Sequence, residues 1–226
     1  MGALTLTQMA SRLKSRFGEN DAFSSPTDYY SVWVNSGYRY LATLEKVQET
    51  KRHVFIPDLE TSASATTVDG TAYVTDPTDA LIVREVFDET NDKRLDWISW
   101  QEYVGKTDRG DTSKEGKPTY WNWRSGAIYL YPTPDAAYTL TVYYKKRVVD
   151  LTAGEYSSLG AEWDDIIIEL AHYFGRMHTN EYERAEVSMK AAKTKLIELV
   201  DAYGSQERAR RERVRPDEQH IQRPTY

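Results

Sequence analysis

Apolar and polar residues alternate with a period of two through Lys117–Thr152, and recur every three to four residues near both ends of the chain. In the central stretch Ile128 and Leu130 alternate with Tyr129 and Tyr131. Leu140 and Val142 alternate with Thr139, Thr141 and Tyr143. Period-two alternation gives a strand one buried and one wet face, so this segment predicts two or three antiparallel strands. Ser125-Gly126 supplies a tight turn, and Pro132-Thr133-Pro134-Asp135 a wider one.

The helical periods predict four longer elements. Leu6, Met9, Ala10, Leu13 and Phe17 share one face of a first helix over 6–17. Thr5 and Gln8 form a capping-box pattern, and Gly18 is a natural stop. Ser25-Pro26 offers an N-cap followed by a proline at the first helical position, with Asp28 completing the box. The second helix then carries Tyr30, Trp33, Val34, Gly37, Leu41 and Leu44, and ends near Val47. A third stripe runs through Trp163, Ile166, Ile167, Leu170, Phe174 and Met177, and Thr179-Asn180 breaks it. A fourth, through Tyr182, Ala185, Met189, Ala192, Leu196, Leu199 and Tyr203, is coiled-coil-like and pairs antiparallel with the third. Gly204 is its expected stop.

From Lys51 the period shifts. His53-Val54-Phe55-Ile56 reads as a short strand ended by Pro57, and Thr61–Thr78 as a long loop or weak hairpin containing Tyr73 and Val74. Leu81–Phe87 reads as a strand and Asp88–Asp92 as a turn. Arg94–Ile98 pairs back, a short helix covers Trp100–Val104, and Gly105–Gly116 forms a charged tip. The expected fold is therefore α+β. Helices from both chain ends form an antiparallel bundle of about four, with an inserted antiparallel β-rich subdomain and an extended C-terminal arm. The divisions fall at 1–50, 51–150, 151–204 and 205–226.

Composition narrows the chemistry. The 226 residues include no cysteine, which removes disulfides, zinc–thiolate sites and thiol catalysis. No run of about 18 apolar residues spans a membrane. The N-terminal segment lacks the charged region of a signal peptide, and Leu6 breaks the myristoylation pattern. Seventeen Tyr and six Trp suit either an aromatic β core or a protein interface. Net charge is −6. The last 22 residues hold six Arg against Glu207, Glu212, Asp217 and Glu218, a net of +2, so the rest carries −8. A basic tail on an acidic body suggests an arm that docks elsewhere.

Catalytic constellations are weak. Asp164, Asp165, Glu169, His172 and His178 are the best metal candidates, and Glu169 with His172 forms Glu-x-x-His. A di-iron bundle needs two such motifs and two further glutamates, and the chain has one motif. No nucleophile elbow, P-loop, dinucleotide fingerprint or EF-hand loop occurs. No enzymatic activity and no cofactor are expected. Trp121, Trp123, Tyr129 and Tyr131 are candidate interface aromatics, and the two tryptophans point the same way. They support a second reading, an aromatic β-type module that recognises carbohydrate or a receptor, although burial is the commoner fate of such residues. Arg208, Arg210, Arg211, Arg213, Arg215 and Arg223, with Tyr226, make up the candidate docking arm. The interleaved Glu207 and Glu212 weaken a nucleic-acid reading of that arm.

Taken in order, the chain resembles the head-to-tail adaptor (connector) proteins of tailed bacteriophages. The resemblance rests on three stretches. One is the early helix pair with Ser25-Pro26-Thr27-Asp28 and Trp33-Val34-Asn35. Another is the passage through Pro118-Thr119-Tyr120-Trp121, Gly126–Pro134 and Tyr143-Tyr144-Lys145-Lys146. The third is the closing helix pair with its arm. It implies a structural virion protein of the neck, between head and tail, assembled in the host cytoplasm. It further implies a homo-oligomeric ring, usually dodecameric, beneath the portal protein and above a downstream tail or nozzle protein. The bundle would form the ring body and the arm would insert against the portal. DNA would pass through the channel without specific binding, eased by a negative lumen.

Overall fold

The computed structural model describes residues 3–24, 28–46, 54, 56–107 and 114–214, with side chains through Tyr203. It divides into two compact units. One joins Met1–Ile56 to Val149–Tyr226, and the other is Pro57–Val148. Among the described residues there are five α-helices and two four-stranded sheets, a mixed α+β fold.

The first unit is helical. Helix α1 (Leu6–Arg16) begins at the capping box that its sequence encodes: Thr5 Oγ1 accepts the Gln8 amide, and Gln8 Oε1 accepts the Thr5 amide at 3.0 Å. Its apolar face, Leu6, Met9, Ala10 and Leu13, is buried, and Gly18 (φ +70°) follows its end. Helix α2 (Tyr29–Thr43) starts later and stops earlier than its sequence suggests. Its N-cap is Asp28, whose carboxylate accepts the Ser31 amide, and its C-cap is Leu44. Asp28 thus caps the helix itself instead of completing a box begun at Ser25. Ser25, Pro26, Thr27 and Val47 lie outside the described residues.

Helix α4 (Asp164–His178) buries Ile166, Ile167, Ile168, Leu170 and Ala171, with Trp163 fully buried just before it. Met177, at the end of its stripe, is exposed. Helix α5 (Tyr182–Val214) follows the Thr179-Asn180 break and buries Ala185, Ala192, Leu196 and Val200. It runs through Gly204 rather than stopping there. One helical glycine costs about 1 kcal/mol, and the flanking Glu, Gln, Arg and Ala residues favour helix. Helix α4 packs against α1, α2 and α5. Helices α2 and α4 approach backbone to backbone at Gly37, where an added Cβ would sit 2.8 Å from Ile167 O and 3.0 Å from Ala171 N. Buried Asn35 binds the returning chain at two points: Nδ2 donates to Leu151 O at 3.1 Å, and Oδ1 accepts the Leu151 amide at 2.9 Å.

The second unit is built from sheets. One sheet has the order β1 (Glu60–Thr66), β8 (Thr139–Lys146), β3 (Ala80–Asp88), β4 (Lys93–Arg94). The other has the order β2 (Tyr73–Thr75), β7 (Ala127–Tyr131), β6 (Tyr120–Arg124), β5 (Asp96–Trp97). Their buried residues share one core, with Val83, Val86, Leu140 and Val142 from the first and Val74, Trp121, Ile128 and Leu130 from the second.

Several expectations are corrected here. Thr61–Thr66 is strand, not loop, and pairs antiparallel with β8 from Glu60↔Lys145 to Thr66↔Thr139. Ser, Ala and Thr give little apolar signal, so tertiary pairing decides. Arg94–Ile98 splits, with β4 pairing back onto β3 and β5 pairing parallel with β6. Strand β8 belongs to a different sheet from the β6–β7 hairpin. Val54 and Ile56 are buried outside any strand, and His53 and Phe55 lie outside the described residues.

Candidate functional site

The β6–β7 hairpin turns at Ser125 (φ 53°) and Gly126 (φ 78°), the paired positive φ values of a tight primed turn. Trp121 and Trp123 share the inner face, as their spacing requires. Trp121 is only 3% exposed in the shared core. Trp123 packs at the edge of that core and donates its indole N–H to Asp76 Oδ2 at 2.7 Å. These two rings are occupied within the unit.

The opposite face carries Tyr129 and Tyr131. Tyr120 lies across from Tyr131 at 6.5 Å between centroids, and Tyr73 is 5.9 Å from Tyr129. Helix α3 (Trp100–Lys106) adds Trp100 and Tyr103, which stack on each other at 5.2 Å and meet Tyr129 at 5.2 and 5.6 Å. Cations sit over these rings. Lys106 Nζ is 4.2 Å from the Tyr120 centroid, the Arg124 guanidinium 4.5 Å from Trp100, and Lys114 Nζ 5.7 Å from Tyr131. The geometry is that of cation–π pairing. A Ser99–Glu102 capping box starts α3, and hydrogen bonds from the Ser99 amide and hydroxyl hold the Glu102 carboxyl below its usual range. Buried Asn122 Nδ2 donates to Ile98 O at 2.8 Å, tying the chain before α3 to β6. Sequence reading missed Trp100, Tyr103, Lys106 and Arg124. The signal was there in the three-residue spacing of Trp100, Tyr103 and Lys106, which places them on one side of a short helix.

The five metal candidates on α4 have other partners. Glu169 accepts Lys195 Nζ and Arg16 Nη1, each at 2.9 Å. Burial works to raise its pKa, but those two hydrogen bonds outweigh it and hold the carboxyl below its usual range. His172 Nδ1 lies 2.9 Å from Ser188 Oγ, and Nε2 accepts from Arg176 Nε at 3.2 Å. Burial, then the Arg176 and Arg16 charges, push the His172 pKa down. Asp164 Oδ2 accepts the Leu4 amide at 2.6 Å, and burial raises its pKa against that bond. Asp165 lies 3.9 Å from Arg12, and the His178 ring packs at a tilt against Tyr29 and Trp33, with centroids 5.0 and 5.6 Å away. Among the described residues, no group of three or more metal-ligating side chains gathers, and no helix is long and apolar enough to cross a membrane.

Helix α5 is the longest element. Its 33 residues span about 50 Å, against about 22 Å for the 15 residues of α4. Its last described buried side chain is Val200, and Tyr203 Oη donates to Glu162. Arg208, Arg210, Arg211 and Arg213 fall in its last two turns. Arg215, Arg223 and Tyr226 lie outside the described residues.

Comparison with known families matches the chain to a family described as SU10 adaptor protein, over residues 4–219. The chain belongs to the SU10 adaptor protein family. The membership bears out the resemblance to phage head-to-tail adaptors. No curated protein matches the chain. The SU10 adaptor match runs through both units and on past the end of α5.

Proposed function

We propose that this SU10 adaptor protein forms a homo-oligomeric ring, of dodecameric type, between the portal and the first tail or nozzle component in the virion neck. The helices of the first unit act as an antiparallel bundle forming the ring body, and the channel they surround passes DNA without reading it. The protein is a structural part and not an enzyme, and it assembles in the host cytoplasm. The end of α5 and the residues beyond it dock on the portal, with Arg208, Arg210, Arg211 and Arg213 meeting carboxylates through forked contacts. The family match over residues 4–219 carries this reading.

The test mixes the purified chain with the portal ring of the same genome and images the mixture by negative-stain electron microscopy. A new collar of density on the narrow end of the portal is expected. Bare portal rings beside folded subunits would sink the proposal. A chain ended after Gly204 keeps every described buried residue of α5, and its folding is checked by circular dichroism before binding is measured. It should lose roughly tenfold or more in portal affinity, in keeping with truncation of a charged anchor.

A further inference from the structure

Strand β1 is the only long sheet edge among the described residues left without protection. The other outer strands are short: β4 and β5 have two residues each, and β2 has three. The outer side of β3 is capped by β4 at its end, and its register is broken twice, between Ala80 and Ile82 and between Val83 and Glu85. Short strands and irregular registers are how proteins keep edges from pairing with foreign strands. Strand β1 uses neither. It holds seven residues in unbroken register with β8, and it contains no proline or lysine. Its one charge, Glu60, is turned to Arg84 within the same sheet at 3.4 Å. Ser62, Ser64 and Thr66 are exposed. Ala63 and Ala65, which pack on the core, are only partly buried. Among the described residues, pairing with β8 leaves the other side of β1 with no strand partner, so a further strand laid alongside would extend the ladder and finish covering those alanines.

We infer that β1 is an assembly edge, onto which an extended segment of the adjoining copy of this chain adds as a further strand. This rests on the ring reading above. Two arguments select the occupant. A seven-residue strand is about 24 Å long, and pairing along it buries well under the roughly 1,000 Å² that a free complex needs. Two copies also carry −6 each and repel. The occupant must therefore be held in place by other contacts, as a neighbouring subunit is. In addition, an edge of Ser, Ala and Thr whose one charge, Glu60, is already paired with Arg84 offers little with which to choose a partner by sequence. It takes the strand that position supplies, and in a ring that strand comes from the next identical subunit.

The chain has no cysteine, so Ser64→Cys carries a benzophenone maleimide at that one position. Illumination of portal-bound collars should yield adaptor–adaptor products, while the free protein yields none. Hydrogen exchange on the unsubstituted protein gives a second readout that needs no variant. Amides of residues 60–66 should slow by roughly tenfold or more on joining the collar. Crosslinks to the portal or tail protein alone would overturn the inference, as would unchanged exchange within well-formed collars. An absence of collars in the micrographs would remove the ring reading itself, and this inference with it.

Discussion

At Gly37 helix α2 touches α4 backbone to backbone, with no room for a methyl group. Among the described glycines of the sheet unit none sits so close to backbone, and the two sheets meet through side chains such as Leu130, Ile128, Leu140 and Val142. The polar chemistry differs as well. The helical unit ties α1, α4 and α5 together with charge pairs, above all Glu169 between Arg16 and Lys195. The sheet unit tethers aromatic tips to loop carboxylates. Tyr138 donates to Asp135, Tyr144 to Asp79 and Trp123 to Asp76. The hydrogen bond to Asp135 pushes the Tyr138 phenol up to about 12, and burial with the bond to Asp79 does the same for Tyr144. A fold held by close helix contact and charge is most sensitive to a change of shape at one interface. A fold held by a two-sheet core is most sensitive to loss of volume.

The largest expected effect follows from that volume. Leu130 is fully buried, and Leu130→Ala should cost the sheet unit about 2–5 kcal/mol. Near-ultraviolet circular dichroism, to which the sheet unit contributes Trp97, Trp100, Trp121 and Trp123, should lose part of its amplitude early, while the far-ultraviolet helix signal melts where it did before. Simultaneous loss of both signals would break the comparison, because the two units would then be one cooperative body.

Gly37→Ala is the counterpart in the helical unit, with a smaller effect. Alanine gains up to about 1 kcal/mol of helix propensity. The new methyl meets Ile167 O and Ala171 N, which are backbone atoms and cannot swing aside. Overpacking should win by about 1–3 kcal/mol, visible as an earlier far-ultraviolet transition. Gly105→Ala is the control: it lies in α3 with nothing within 4 Å, so there the propensity gain should stand alone and stabilise the sheet unit slightly.

These positions also show what the sequence made legible. The helical stripes, the Thr5–Gln8 box and the Ser125-Gly126 turn were readable because each is a local rule with a local partner. The break at Thr179-Asn180 was readable for the same reason, and Asn180 does adopt positive φ. Strand β1 was not readable, because Glu-Thr-Ser-Ala-Ser-Ala-Thr has no apolar alternation and becomes strand only by pairing with β8, about eighty residues away. The parallel partner of β5 and the docking of α3 on the tyrosine face depend on equally distant contacts. Trp121 was weighed as an interface ring, but its periodicity could not say which face of its sheet meets the other sheet. Gly37 sat on the expected stripe, yet its role depends on α4, which sequence spacing does not show.

Acid should separate the two units with the smallest effect of the series. The sheet unit contains no histidine, and the helical unit holds His172 between Arg176 and Ser188. Burial disfavours the charged form of His172, and Nε2 accepts from Arg176, so protonating it would also set an imidazolium against a guanidinium. The folded pKa is therefore below the ordinary 6.5. Between that value and the folded pKa the unfolded chain binds the extra proton, so stability falls as pH drops through this window. The loss is about 1.4 kcal/mol for each unit of displacement. Glu169 and Glu181 are also held low, and their contribution disappears only below the ordinary 4.5 as pH falls through their folded values. The helical melting temperature should thus decline in two steps, one beginning near 6.5 and one below 4.5, while the sheet transition keeps its value through the first. His172→Asn should erase the first step and leave the second. A single decline confined below 4.5 in the unsubstituted protein would mean that His172 titrates freely, and the buried arrangement with Arg176 would then not hold in solution.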